Sequence, residues 1–173
     1  MTKNKLNSKF IKYQLMKYFR FDRGYTFCVS ECINKSDINA LNDNSLVEVE
    51  IKISKQDFLK EFNGKSKIKT YKHKCLNGYK SEKKGYITPN YYYFCVPREL
   101  CNFVLDYLNT HYPKYGLLVC EEYRIYGQRS NITCVKRPKK IHDIKPSKTI
   151  FTKIGKRLQS ELINLYKKYF EKT

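Results

Sequence analysis

The sequence predicts an α/β domain with a mixed central sheet, followed by one added helix near the carboxyl end. Two observations lead to this fold class. Apolar residues at helical spacing alternate along the chain with short apolar runs of strand length. The predicted elements follow in the order helix, three strands, helix, strand, helix, strand, strand, which is the order of an α/β protein. The 173 residues are enough for one well-packed domain.

The chain begins with a predicted helix and a predicted strand. Residues Lys5 to Arg20 carry apolar side chains near helical spacing with lysines between them, as in an amphipathic helix. Gly24 ends the turn that follows, and Tyr25 to Val29 has the composition of a strand. Glu31 lies just beyond this apolar run. A helix and a first strand therefore precede the most informative part of the sequence.

That part is Ser36 to Phe58, which predicts a hairpin followed by a helix. Two runs rich in Val, Ile and Leu flank the turn formers Asn42-Asp43-Asn44-Ser45. A loop of two or four residues gives one register, in which the facing pairs are Leu41 and Leu46, Ala40 and Val47, Ile38 and Val49, and Asp37 and Glu50. Because strand side chains alternate, one face is apolar and the other polar. The apolar face is Ile38, Ala40, Val47, Val49, Ile51 and Ile53; the polar face is Asp37, Asn39, Glu48, Glu50 and Lys52.

The polar face has the residue types of a metal-dependent hydrolytic site. Carboxylates directly opposite each other destabilise a ladder, so Asp37 and Glu50 need a cation, either a divalent metal or Lys52. Two carboxylates beside a lysine can hold Mg²⁺ and activate a water for phosphodiester hydrolysis. The alternative interpretation is a solvated hairpin face, since antiparallel sheets often expose one side to water.

The remaining elements are assigned from caps, prolines and apolar runs. Ser54 is predicted to cap a short helix in a capping-box pattern with Asp57. Further strands are predicted at Tyr91 to Val96, Gly116 to Cys120 and Ile132 to Val135, with a helix from Arg98 to Tyr107. Stacking of the three consecutive tyrosines on bases is an alternative to their role in the core of a strand. The last helix opens after Ser147 and is predicted to pack on the domain or on a partner.

The charge of the chain points to a polyanionic partner. The formal net charge is +19, yet 41% of the residues are hydrophobic, as in a folded basic protein. Positive charge is concentrated after residue 64, and the predicted phosphate contacts are Lys65, Lys67, Lys69, Lys72, His73 and Lys74. The alternative is that these are solvated surface charges. We therefore expect a polyanion, and nucleic acid in particular, to be the partner.

The cysteines and the terminus predict a reduced cytoplasmic protein. The seven cysteines are expected to be small buried hydrophobes; zinc is the alternative, although the sequence has no Cys-x-x-Cys pair. No apolar stretch is long enough to span a bilayer, and the first residues lack the apolar core of a signal peptide. A soluble protein with no membrane partner is expected.

Asp37, Glu50 and Lys52 form the pattern Asp-x₁₂-Glu-x-Lys, which resembles the PD-(D/E)XK nuclease superfamily. Ser36 stands where the motif of that superfamily has proline. More narrowly, four blocks in order look like the MmcB-type DNA repair proteins and their phage-encoded relatives, over about residues 5 to 140: Ser36 to Leu41, Val49 to Phe58, Tyr93 to Pro97 and Tyr115 to Val119. The resemblance implies a restriction-endonuclease-like αβββαβ core in residues 1–140, with a basic linker and an amphipathic helix in residues 141–173.

The same resemblance implies a function and assigns roles. It implies a nuclease dependent on Mg²⁺ or Mn²⁺, acting in repair, recombination or phage DNA metabolism, in the host cytoplasm or in a virion. Asp37 and Glu50 would hold the metal, Lys52 would support the nucleophilic water, and Glu31 would join the metal site. The alternative is a non-catalytic nucleic-acid-binding or virion-associated protein on the same fold.

Overall fold

The computed structural model describes residues 6–62, 87–123 and 125–171, and a six-stranded sheet runs through them. The strands lie across the sheet in chain order: β1 (Phe27–Val29), β2 (Ile38–Asn42), β3 (Ser45–Ile51), β4 (Tyr91–Pro97), β5 (Gly116–Cys120) and β6 (Ile132–Lys136). The pairs β3–β4 and β4–β5 are parallel, and the other three are antiparallel. The sheet is therefore mixed, as predicted.

The helices also follow the predicted order within the described residues. They are α1 (Ser8–Lys17), a five-residue π-helix (Tyr18–Asp22), α2 (Lys55–Lys60), α3 (Cys101–His111), which a 3₁₀ turn (Arg98–Leu100) precedes, and α4 (Lys148–Phe170). The side chain of Asn7 accepts a hydrogen bond from the Phe10 N–H and caps α1, which begins at Ser8, three residues after the predicted start at Lys5. The Ser54 hydroxyl accepts one from the Asp57 N–H, which confirms the predicted cap of α2.

The hairpin register predicted from the turn is confirmed. Asn42 pairs with Ser45, so the loop holds two residues, and Ile38 lies opposite Val49. The Asn42 side chain accepts hydrogen bonds from the N–H groups of Asn44 and Ser45 at 3.0 and 2.8 Å. This Asx turn closes the loop through local side-chain chemistry, which is why the turn could be predicted from sequence.

Helices cover both faces of the sheet. Ile11 and Leu15 of α1 pack in one core against the predicted apolar face of the hairpin, in which Ile38, Ala40, Val47, Val49 and Ile51 are buried. On the other face, α2 and α3 pack against β4 and β5. The prediction for Ile53 was wrong: its side chain is 49% exposed, because β3 ends at Ile51 and Ser54 already caps the next helix.

The first half of α4 shares a core with the sheet. Ile150 and Ile154 are buried in a cluster with Val29, Leu41 and Leu46. The second half carries exposed apolar side chains, among them Leu165 and Tyr169. The packing of α4 on the domain agrees with the prediction for this helix, while the boundary at residue 140 stays a prediction.

The cysteines are thiols in apolar surroundings. Cys28, Cys95, Cys101 and Cys120 are buried, and Cys32 and Cys134 are half-buried. Each of these six is free, and Cys75 lies outside the described residues. The predicted role as small buried hydrophobes is thus confirmed for four of them. No helix in the described ranges is both long and apolar enough to cross a membrane.

Candidate active site

Three charged side chains follow one another on the inner polar face of β3 and just beyond its end. Glu48 is 0% exposed, and Glu50 and Lys52 are 7% exposed each. Because Val47, Val49 and Ile51 face α1, these alternate residues face the opposite side of the sheet. A solvated hairpin face is therefore excluded. Buried charges are stable only when they are paired and hydrogen-bonded, so the contacts of this stripe matter.

Lys52 lies between two carboxylates. Its Nζ donates a hydrogen bond of 2.7 Å to Glu61, just after α2, and lies 3.8 Å from Glu50. Burial by itself lowers the pKa of Lys52, but the hydrogen bond to Glu61 and the charges of Glu61 and Glu50 outweigh it, and the pKa is raised. Lys52 therefore stays protonated at neutral pH and acts as a cation and a proton donor.

Asp37 reaches the same end of β3 from the start of β2. Its Oδ2 accepts a hydrogen bond of 2.9 Å from the backbone N–H of Ile51. Ile51 lies between Glu50 and Lys52 in the chain, so the Asp37 carboxylate contacts the backbone between the other two predicted catalytic residues. The register that pairs Ile38 with Val49 places Asp37 opposite Glu50 when it is continued by one residue. The structure thus brings Asp37, Glu50 and Lys52 to one end of the sheet.

A second lysine, Lys12 of α1, neutralises the carboxylate side of the site. Its Nζ lies 2.8 Å from Glu31 and 3.6 Å from Asp37. The hydrogen bond from Lys12, together with its charge, lowers the pKa of Glu31. The Glu31 side chain is 59% exposed. The structure therefore joins Glu31 to Asp37 through a lysine.

The loop before Asp37 is held in an unusual backbone conformation. Glu31, Asn34 and Lys35 have φ angles of 52°, 55° and 56°, in the left-handed region that residues other than glycine rarely adopt. The Asn34 side chain donates to Glu48 at 2.9 Å and to the Ile87 carbonyl at 2.6 Å. Glu48 thus anchors this loop to the sheet. Backbone strain of this kind is found preferentially at functional sites.

The donors at this end of the sheet suit a magnesium ion with an incomplete protein shell. Within the described residues, no group of three or more His, Cys, Asp or Glu side chains is arranged to hold a metal ion. Glu31, Asp37 and Glu50 therefore do not form a three-acid cluster, and the described cysteines form no zinc site. Mg²⁺ is commonly held by one or two carboxylates together with waters and substrate phosphates. Asp37 and Glu50, which the strand register places opposite each other, are the two carboxylates that such a mode would use.

Sequence reasoning missed Lys12 and Glu61. Lys12 looked like one of several lysines on the polar side of an amphipathic helix, and Glu61 followed a helix of only six residues. Lys12 contacts Asp37, which is distant in the sequence, and Glu61 contacts Lys52, which belongs to another element. The one available signal was the excess of negative charge on the hairpin. It required a compensating cation, which is the part that Lys12 plays beside Asp37.

The predicted nucleic-acid contacts cannot be placed on this geometry. The residues Lys65, Lys67, Lys69, Lys72, His73 and Lys74 lie outside the described residues. Their role stays a prediction. They follow α2 in the chain and begin three residues after Phe62.

Comparisons with known proteins establish the fold and nothing narrower. No protein-family model matches the chain, and no curated protein matches it either. Among solved structures, the chain is similar to the SPO1766 protein of unknown function from Silicibacter pomeroyi. The TM-score is 0.64 and the identity is 15%, over 94% of this chain and 93% of that chain. At this identity the likeness shows a shared α/β fold.

Proposed function

We propose that this protein is a metal-dependent nuclease of the PD-(D/E)XK type, with Asp37, Glu50 and Lys52 as its catalytic residues. One observation carries the proposal: the Asp37 carboxylate is hydrogen-bonded to the N–H of Ile51, between Glu50 and Lys52. Two acids and a protonated lysine therefore meet at the carboxyl end of a strand that is parallel to its neighbour β4. In α/β sheets with parallel strands, ligands bind at such carboxyl ends.

The proposed roles follow from the state of each side chain. Lys52 is a cation at neutral pH, so it orients the attacking water or neutralises charge that develops on the phosphate, and it does not remove the proton. Burial and the neighbouring ammonium group restrict the Glu50 carboxylate. The hydrogen bond from Ile51 fixes the Asp37 carboxylate beside it. Pre-organised charges of this kind stabilise a transition state without having to reorganise.

Asp37 and Glu50 would hold the metal. The chemistry that Mg²⁺ or Mn²⁺ would supply there is Lewis-acid polarisation of the phosphate and a lower pKa for a water. Lys12 is the cation beside Asp37 in this structure, at 3.6 Å. It therefore competes with a metal for the same carboxylate, and we assign it the role of tuning metal affinity.

The proposed substrate is DNA, bound through its phosphates. The lysine-rich segment from Lys65 to Lys74 follows α2, whose end supplies the Glu61 partner of Lys52. Contacts with the DNA backbone are independent of sequence and strongly dependent on salt. A role in DNA repair, recombination or phage DNA metabolism, in the cytoplasm or in a virion, belongs to the same proposal.

A cleavage assay tests the proposal. Purified protein is incubated with supercoiled, linear and single-stranded DNA in Mg²⁺ or Mn²⁺, with EDTA as the metal-free control. We expect metal-dependent cleavage that Glu50→Gln reduces by about 100-fold or more. Asp43→Asn is the matched control, because it makes the same carboxylate-to-amide change on an exposed residue of the hairpin loop. Cleavage that survives Glu50→Gln would refute the assigned site.

One observation favours a second candidate, a nucleic-acid-binding protein without turnover. Lys52 is paired with Glu61 and Glu50, and Asp37 with Lys12, as in a purely structural ion-pair network. This candidate predicts a mobility shift of DNA that persists in EDTA and in Glu50→Gln, with no cleavage of any substrate form in either metal.

A further inference from the structure

A second polar region lies on the α1 face of the sheet, where two cavities of about 560 and 600 Å³ adjoin each other. The π-helix and the turn before β6 line the first cavity, and the amino-terminal ends of β3 and β4 line the second. Arg23 and Cys134 line both cavities, which makes them one continuous cleft. We call it the arginine cleft and define it by Arg23, Arg129, Arg137, Tyr25, Tyr91 and Tyr93.

Three arginines give this cleft its charge. Arg23, Arg129 and Arg137 are all exposed. Among the ion pairs of the described residues, none involves any of the three. The Arg129 guanidinium lies 5.5 Å from the centre of the exposed Phe21 ring. The rim of the cleft therefore combines positive charge with an aromatic face.

Asp22 is the acid in the wall of the cleft, and its oxygens are already used. They accept hydrogen bonds from the Arg129 N–H at 2.9 Å, the Ser130 N–H at 3.2 Å and the Ser130 hydroxyl at 2.5 Å. Asp22 thus ties the turn before β6 to the π-helix. Because these bonds are all made with the turn, the guanidinium groups of the cleft keep their capacity to bind an anion.

Two buried tyrosines, Tyr18 and Tyr93, line the cleft. Burial raises the pKa of Tyr18 to about 12 and raises the pKa of Tyr93 as well. Burial also raises the pKa of the Cys134 thiol, despite the nearby charges of Arg23 and Arg137. At neutral pH the thiol and the phenols carry no charge, so the arginines decide the charge of the cleft.

The π-helix positions the central arginine. The Arg23 N–H donates to the Tyr18 carbonyl at 2.9 Å and closes the wide turn, and Gly24 follows with a φ of 70°. This turn brings Tyr18, Asp22 and Arg23 to the same cavity. Short π-helices are rare and are frequently found at functional sites.

We propose that the arginine cleft binds a nucleoside phosphate, either a free nucleotide or the terminal nucleotide of a nucleic-acid strand. Guanidinium groups match phosphate oxygens in a bidentate fork. The half-buried rings of Tyr25 and Tyr91 offer aromatic surface for a base. Both cavities fall within the size range of small-molecule sites, about 300–1,000 Å³.

The arginine cleft is separate from the candidate active site. Ser45 and Tyr91 begin β3 and β4, whereas Glu50 and Lys52 lie at the other end of β3, about 17 Å away along the strand. The Glu50 and Lys52 side chains also face the side of the sheet opposite the cleft. Nucleotide binding in the cleft therefore does not depend on the proposed cleavage activity.

Calorimetric titration of the full chain in EDTA tests this proposal without any metal-dependent step. The probes are AMP, dTMP, adenosine, inorganic phosphate, and a short oligonucleotide with and without a 5′-phosphate. The variants are Arg23→Ala, Arg137→Ala and the conservative Arg23→Lys. Lys168→Ala is the matched control, because it removes the same charge from the exposed end of α4. Glu50→Gln is titrated in parallel.

We expect saturable binding of AMP that Arg23→Ala and Arg137→Ala each weaken by about 10- to 100-fold. Arg23→Lys should weaken it less, and Lys168→Ala and Glu50→Gln should leave it unchanged. An oligonucleotide that binds tenfold tighter than AMP, and only with its 5′-phosphate, identifies a strand end as the ligand; equal affinities identify a free nucleotide.

Three results would overturn the proposal. The first is the absence of saturable binding by any nucleotide. The second is binding of adenosine or inorganic phosphate as tight as that of AMP, because base and phosphate would then not be read together. The third is a loss of affinity in Lys168→Ala as large as in Arg23→Ala, which would indicate general charge attraction.

Discussion

The Asp37 carboxylate accepts a hydrogen bond of 2.9 Å from the backbone N–H of Ile51. Asp37 directly precedes β2, and Ile51 is the last residue of β3. A side-chain oxygen therefore continues the pairing of these strands beyond the last backbone pair, Ile38 and Val49. The same bond that secures the register also holds the carboxylate at the backbone between Glu50 and Lys52. Stability and proposed chemistry are thus joined at one residue.

Substitutions can separate the role of Asp37 in stability from its proposed role in catalysis. In Asp37→Asn the side-chain oxygen still accepts from Ile51 but the charge is lost, so we expect cleavage to fall by about 100-fold while the free energy of unfolding is retained. In Asp37→Ala the buried N–H loses its acceptor, which should also lower the free energy of unfolding by about 1–3 kcal/mol. Urea denaturation and the cleavage assay measure both. A cleavage rate of Asp37→Asn equal to that of the wild type would contradict the catalytic role of Asp37. Asp43→Asn is the control.

Glu61 is predicted to keep Lys52 charged. In Glu61→Gln the negative charge next to the buried ammonium group is lost, so the pKa of Lys52 should fall, because burial then opposes the charge with less compensation. We expect the free energy of unfolding to drop by about 1.5–3 kcal/mol. Glu99→Gln, at an exposed residue, is the control. An equal loss of unfolding free energy in that variant would contradict this role of Glu61.

The raised pKa of Lys52 also predicts how the stability and the cleavage rate depend on pH. Its folded pKa lies above the ordinary value of 10.5, so the stabilisation is fully present below that value and is lost as the pH rises through the folded pKa. The cleavage rate should accordingly show no ionisation of Lys52 between neutral pH and pH 10. A pH–rate profile that inflects near neutrality in wild type and loses the inflection in Lys52→Met would mean that Lys52 acts as a base.

The lysine-rich segment is predicted to provide phosphate contacts. Replacement of Lys67, Lys69 and Lys72 by Ala should weaken DNA binding and reduce the slope of log K against log salt by about 2.7, at about 0.9 per phosphate contact. Metal affinity should be unchanged. Lys114, Lys153 and Lys168, replaced together, give a control of equal charge. An unchanged salt slope in the first variant would remove the segment from the interface.

Local chemistry explains which parts of the fold were predictable. The register of the hairpin follows from Asn42, whose side chain makes the turn within three residues. The cap at Ser54 is equally local. From these two features and the alternation of apolar residues, the sequence led to Asp37, Glu50 and Lys52 at one end of the sheet.

Contacts between distant parts of the chain explain what was missed. Lys12 meets Asp37 across 25 residues, and Asp22 meets Ser130 across 108 residues. No periodicity or spacing reports such a pairing. The π-helix spans Tyr18–Asp22, and its first three residues, up to Arg20, were predicted as the end of an ordinary amphipathic helix. The arginine cleft depends on the contact between Asp22 and Ser130 and on the π-helix. It therefore could not be predicted from the sequence.

Two glycines give a paired test of the packing that supports the site. A Cβ at Gly116 would lie 2.5 Å from the buried Tyr93 ring and 2.9 Å from the Lys136 carbonyl, so Gly116→Ala should destabilise the protein by about 1–3 kcal/mol. Gly155 lies within α4 with open space around it, so Gly155→Ala should stabilise the protein by up to about 1 kcal/mol. Thermal denaturation compares the two, and equal effects would contradict the packing of β4 against β5.

Lys12 is predicted to tune the metal affinity of the site. Its ammonium group lies 2.8 Å from Glu31 and 3.6 Å from Asp37, so Lys12→Met removes a cation that competes for the carboxylates. We expect Mn²⁺ to bind more tightly to the variant, as measured by calorimetry. The pKa of Glu31 should rise back toward its ordinary value, as measured by NMR titration of the side-chain carboxyl.

The stability of Lys12→Met separates this role from a structural one. Exposed ion pairs stabilise proteins by less than about 1 kcal/mol, so the loss at neutral pH should be small. Because the folded pKa of Glu31 is lowered, this stabilisation is present above its ordinary value of 4.5 and disappears as the pH falls through the folded pKa. Lys9→Met, on the exposed side of the same helix, is the control. Tighter Mn²⁺ binding in both variants would reflect net charge alone, whereas tighter binding in Lys12→Met only would place the metal beside Asp37.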